Sequence, residues 1–215
     1  SAFNGNISTW NVSSVTTMNS MFLYAISFNK SLSQWDVSNV TDMYGMFNGA
    51  EIFNGDISTW NVSKVTNMSN MFYLVSTFNS DISSWDVSNV TNMASMFRQA
   101  TAFNGNISSW NVSNVTNMGY MFLNASSFNR DLSSWDVSNV TLMHNMFGRT
   151  TSFNSDISTW DVSNVTDMRS MFQDAVSFNQ NLSGWCVSNI SEEPSSFSRD
   201  SALQESNKPV WGTCP

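Results

Sequence analysis

The sequence predicts an α/β repeat solenoid, with short parallel strands on one face and short helical turns on the other. Phe recurs at 3, 28, 53, 78, 103, 128, 153 and 178, and Trp at 10, 35, 60, 85, 110, 135, 160 and 185, both stepping by 25 without insertion or deletion. The spacing of apolar residues also changes partway through each unit, from a strand-like to a helix-like period. Self-similarity at such a period is the signature of stacked supersecondary units, each too small to bury its apolar face alone.

The strand comes first in the unit. Ile7, Trp10 and Val12 follow the L-x-x-L-x-L spacing of a leucine-rich repeat, with Thr9, Asn11 and Ser13 pointing outward. Ser13 and its equivalents precede the second element and suit a helix N-cap. Val15, Met18, Met21 and Phe22 then repeat at three and four, one face of a short helix. Trp, Phe and Met hold the same phase in every unit, which makes them core; Met fills the gaps between large rings. Asn4 begins a column of Asn directly after Phe in all eight units, placed to satisfy turn backbone groups from rung to rung. The array spans residues 1–190 as eight 25-residue units, and 191–215 form a C-terminal cap. Cys186 and Cys214, the two cysteines of the chain, lie at this end and form a disulfide or remain as two buried thiols. The start at Ser1, within the repeat pattern, reads as a processed product and as an end without a cap.

Composition narrows the function. Charged residues are 11% and the net charge is −8, which leaves no electrostatic footprint for nucleic acid. No apolar run approaches the ~20 residues of a membrane-spanning helix, so membrane insertion is not expected. No catalytic residues are assigned, since catalysis needs unlike groups meeting at one place and the repeat sets the same residue at each rung. His144 stands alone at a variable position, and no nucleotide, zincin or Cys-x-x-Cys motif occurs.

Two surfaces remain as candidate sites. Asp36, Asp86, Asp136 and Asp161 share an outward column with Asn11, Asn61 and Asn111. Carboxylates among amides and hydroxyls are hard oxygen donors of the kind calcium accepts, and equally the makings of a solvated polar face; a second acidic column holds Asp56, Asp81, Asp131 and Asp156. No other cofactor is implied. The positions after each Met-Phe vary, and Leu23, Tyr24, Tyr73, Leu74 and Leu123 place an intermittent apolar stripe there, either a contact surface or a lid folded over the core.

The segment from Phe78 to Phe97, Phe-Asn-Ser-Asp-Ile-Ser-Ser-Trp-Asp-Val-Ser-Asn-Val-Thr-Asn-Met-Ala-Ser-Met-Phe, resembles the repeat of BspA-like leucine-rich repeat surface proteins of bacteria, and the resemblance runs from residue 1 to about 190. It implies secretion, display at the cell surface, and adhesion through protein or glycan partners. The first expectation is therefore an extracellular interaction module presenting a repetitive polar face. The alternative is a self-assembling element in which copies join through the uncapped N-terminal end. An ice-binding face is a third reading, without the paired Thr-x-Thr rows it would need.

Overall fold

Each 25-residue unit closes one circuit by turning, over and over, at its apolar residues. In the first unit the N–H groups of Trp10, Val15, Met21, Leu23, Ala25 and Phe28 donate to the carbonyls of Ile7, Val12, Met18, Ser20, Phe22 and Ala25, at 2.9 to 3.3 Å. Each is the i to i+3 bond of a β-turn. The computed structural model describes residues 3–215, and the same turns recur through it; Ser1 and Ala2, where a processed start was expected, lie outside the described residues.

The α/β solenoid with leucine-rich-repeat-like strands and helices is therefore not what forms. Among the described residues the single helix is a 3₁₀ turn at Glu205–Asn207 in the tail. Parallel pairing is confined to isolated bridges, one per coil, running from Thr17↔Asp42 to Leu142↔Asp167. They lie at the position after Thr16, not at Ile7 to Val12, where the strand was expected. The reason the helix fails is local. Two positions per coil take left-handed backbone, Ser20 and Tyr24 in the first coil and Ser170 and Asp174 in the seventh, with φ between 51 and 70° in coils one to seven. An α-helix allows no such residue. The alternation turns every second N–H along the stack, so that Met18, Ser20, Phe22 and Tyr24 donate to the carbonyls of Asp42, Tyr44, Met46 and Asn48 in the next coil at 2.8 to 2.9 Å. Spacing of three and four thus records consecutive turns. Ser13 caps no helix; its hydroxyl bonds Asn11 Oδ1 at 2.7 Å.

Stacking puts the aromatic columns face to face. Phe47 and Phe72 lie 5.7 Å apart at 3°, and Phe72 meets Phe78, at the start of the following unit, at 3.8 Å. The Met and Val columns close the interior around them, fully buried from the second coil to the seventh. On the first coil the same columns are open, with Trp10 53% and Phe3 42% exposed where Trp35 and Phe28 are buried.

Polar columns rivet one coil to the next. Each Asn of the column from Asn4 to Asn154 accepts, through Oδ1, the N–H of the Asn one coil on, as in Asn54 to Asn29 at 2.8 Å and Asn104 to Asn79 at 2.9 Å. Each buried Trp indole N–H reaches a carbonyl of the coil before, as Trp110 does with Ile82 at 3.1 Å. The Thr hydroxyls repeat the pattern at 3.2 Å from Thr41 to Thr166. Asn39 and Asn89 donate side-chain amides to the Ser13 and Ser63 carbonyls.

The tail covers the last coil. Gln204 N–H takes the final Asn ladder bond, on Asn179 Oδ1, and a disulfide joins Cys186 to Cys214 as expected. Phe197 stands edge-on to Phe172 at 88° and carries Trp211 against its other side.

Candidate functional site

The four carboxylates of the outward column, read from the sequence either as calcium donors or as a solvated polar face, bond locally. Asp36, Asp86, Asp136 and Asp161 each accept the N–H of the serine two residues on, at 3.0 to 3.1 Å, and Ser138 adds its hydroxyl to Asp136 at 2.6 Å. This is an Asx turn, which Asn11 makes equally well with Ser13. The serine hydroxyls, with the N–H groups behind them, hold Asp36, Asp86 and Asp136 below the usual carboxylate range. Among the described residues no three His, Cys, Asp or Glu side chains gather where one metal ion could be held. The second acidic column does the same service, as Asp56 and Asp131 show with Ser58 and Ser133.

Of the stripe, Leu23 and Tyr24 are exposed, while Tyr73, Leu74 and Leu123 are half-buried. The structure shows why large and small residues alternate here. A Cβ on Gly49 would sit 2.3 Å from the Tyr24 ring, and one on Gly148 2.9 Å from the Leu123 Cδ1. Tyr24 and Leu123 each lean onto a glycine of the next coil, covering backbone as well as facing out, whereas Tyr73 meets Arg98 there.

Beside this stripe lies a constellation that the periodicity did not reveal. The Arg98 guanidinium is held between the rings of Tyr73 and Tyr120, 4.9 and 5.2 Å from their centroids. The Tyr120 ring meets His144 edge-on at 4.7 Å, and His144 lies over Gly119, whose Cβ would clash with the imidazole. His144 Nδ1 is 3.4 Å from Asp167 Oδ2, an approach without hydrogen-bond geometry. Arg169 closes the series with two bonds to Asp167, 2.9 and 2.7 Å, and holds that carboxyl below its ordinary range. One non-repeating row thus crosses five coils. Tyr120, His144, Asn145, Arg169, Ser170 and Ser195 line a cleft of about 220 Å³ at its end. His144, expected to be an isolated exposed side chain, is a half-buried member of it.

The row sets a cation, aromatic faces and an amide side by side on one ledge. No helix among the described residues is long and apolar enough to cross a membrane. Comparison with curated proteins finds no match. The model of one family, described as "Mycoplasma protein of unknown function, DUF285", matches residues 1–74, 51–148 and 101–211 in three overlapping segments. Those segments run through all eight coils and into the tail, so the chain belongs to the DUF285 repeat family.

Proposed function

We propose that this chain is an extracellular or cell-surface interaction module that binds a protein or glycan partner and catalyses no reaction. Its recognition surface is the ledge bearing Tyr73, Arg98, Tyr120, His144 and Arg169. One observation carries this reading. The polar columns that repeat in every coil spend their donors and acceptors on the neighbouring coil, as the Asn4 and Thr16 columns do, whereas residues that do not repeat, Arg98, Tyr120 and His144 among them, meet on the ledge. The resemblance to BspA-like surface repeats and the Cys186–Cys214 disulfide, a bond of oxidising compartments, support display outside the cell.

Rigidity supports it too. A side chain already fixed between two rings loses little freedom on binding, so Arg98 is preorganised for an acidic or hydrogen-bonding group. The test is a screen of immobilised glycans and surface proteins with the intact chain, repeated with Arg98→Ala and Tyr120→Ala. Loss of at least tenfold in affinity for the captured partner, with an unchanged melting temperature, is the expected result. Retention of full affinity by both variants would move the binding surface off the ledge.

A further inference from the structure

Four members of one column meet at the end of the ledge with their side chains unspent. Tyr120, Asn145, Ser170 and Ser195 follow one another at steps of 25 residues, and with His144 and Arg169 they line the cleft of about 220 Å³. In the first coil the same position holds Ser20, whose hydroxyl donates to Asn19 Oδ1 at 2.7 Å. Among the described residues the Tyr120, Ser170 and Ser195 hydroxyls and the Asn145 side-chain amide make no hydrogen bond. Tyr120, Asn145 and Ser170 are half-buried and Ser195 is exposed, so a ligand can reach all four.

The main chain of the same wall is closed. Tyr120, Asn145 and Ser170 donate their N–H groups to the carbonyls of His144, Arg169 and Ser195 at 2.8 to 3.0 Å, and their own carbonyls accept from Leu123, Gly148 and Gln173. An extended peptide therefore finds no open ladder to pair with. It finds no apolar hole either, since none of the six lining side chains is aliphatic. The cleft offers a guanidinium, an imidazole, an amide and three hydroxyls, in a volume below the roughly 300 Å³ at which drug-sized pockets begin. A small ring bearing hydroxyls on adjacent carbons presents a donor and an acceptor at each, and matches such a lining.

The geometry points to this cleft as the seat of one acidic sugar residue of a glycan, a pyranose carrying a carboxylate. The charge of the occupant follows from the row. Arg98 makes no ion pair among the described residues, and its Nε is buried without a hydrogen-bond partner. Arg169 spends Nε and Nη2 on Asp167 and keeps Nη1. Two guanidiniums thus stand against the one carboxylate of Asp167, a local excess of positive charge in a chain of net charge −8. Glu192 and Glu193 line the neighbouring cleft and not this one. Arg169 Nη1 pairs with the carboxylate of the sugar, a charge-assisted bond, while Tyr120, Asn145, Ser170 and Ser195 take its ring hydroxyls. The coil-to-coil bonds already fix the backbone beneath these side chains, which lowers the cost of ordering them. The inference rests on the reading of the chain as an interaction module, and takes the glycan side of it.

The test is an amide-resolved NMR titration of the intact chain with methyl glucuronide, with methyl glucoside, which replaces the carboxylate by a hydroxymethyl group, and with the acetylated, amidated octapeptide (Ser-Glu)₄. The Asn145 side-chain amide and the Ser170 backbone amide are expected to shift with the glucuronide, at least tenfold more weakly with the glucoside, and not with the peptide. Asn145→Gly removes the amide and suits the left-handed backbone at φ 54°. It is expected to weaken the glucuronide response, read at Ser170, at least fivefold with an unchanged melting temperature, and Arg169→Gln to erase the preference for the acid. Unmoved Asn145 and Ser170 amides, equal binding of the two sugars, an equal response to the peptide, or full binding by Asn145→Gly each overturns the site. Failure here with retained dependence of the captured partner on Arg98 and Tyr120 removes the sugar site alone; failure of both removes the module reading as well.

Discussion

Asn104 shows how one side chain holds two coils. Its Oδ1 accepts Asn129 N–H at 3.1 Å while its own N–H donates to Asn79. Replacing it with Ala leaves Asn129 N–H without that acceptor and removes a bond worth about 1 kcal/mol net. Asn104→Ala is therefore expected to lower the unfolding free energy by about that amount in urea, and Asn104→Asp, which keeps the acceptor oxygen, by clearly less. Equal losses would mean that the column acts by shape alone. Trp110 makes the same argument in the interior: Trp110→Phe deletes the donor to the Ile82 carbonyl and some ring volume, and should cost about 1 to 3 kcal/mol. The Asx carboxylates set the acid limit. Asp56, Asp81, Asp131 and Asp156 have folded pKa values held down chiefly by the serine N–H groups they accept. A group depressed in the folded state contributes its stability above its unfolded value, about 3.9, and loses it as the pH falls through the folded one. The melting temperature should be level above about pH 5 and drop below about pH 4, and an equally steep drop between pH 7 and 5 would point to another group.

Turns are the element here, and they explain what the sequence could and could not disclose. The period, the buried phase of Trp, Met and Phe, the Asn ladder and the disulfide were all legible, because each depends on which residue recurs and how far apart. The secondary structure was not. Met18, Met21, Phe22 and Ala25 sit three and four apart, a spacing that i to i+3 turns share with a helix. The sign of φ at the fourth residue after Thr16 decides between them, and that position holds Ser20, Gly45, Asn70, Ser95 and Tyr120, which share no side-chain chemistry. The ledge was hidden for a related reason, since Tyr73 and Arg98 share one unit position, Tyr120 and His144 occupy two others, and the four come together only through the offset between coils. Ser95 tests the backbone argument. At φ 57°, Ser95→Gly relieves a left-handed penalty of roughly 1 kcal/mol, partly offset by chain entropy, while Ser95→Val should destabilise by about 1 to 2 kcal/mol. Chemical denaturation of the two variants should give opposite signs.

Over the whole stack, contacts run only between neighbours, so length is adjustable. Excising residues 54–103 joins Phe53 to Asn104 and keeps a glycine-bearing coil next to one with Leu at the ledge, as Gly49 now meets Tyr73. The shortened chain is expected to unfold cooperatively at a lower urea midpoint; a featureless near-ultraviolet circular dichroism spectrum would show that the coils depend on more than their neighbours. The tail is the other lever. Cys186–Cys214 closes a loop with a sequence separation of 28, and Cys214→Ser should cost about 2 to 4 kcal/mol, with faster amide exchange at Val187, which bonds Thr213, than at Val162.

The rivets carry one further cost. Because the Asn, Trp and Thr bonds are the same in every coil, a half-folded chain that pairs a coil with the wrong neighbour satisfies nearly all of them. Errors of 25 or 50 residues are almost degenerate in energy, which is how repeat chains become kinetically trapped or exchange segments. The Arg98 clamp and the glycines under Tyr24 and Leu123 break that degeneracy. They work as proofreading marks along an otherwise uniform scaffold, and removing them should slow refolding more than it lowers stability.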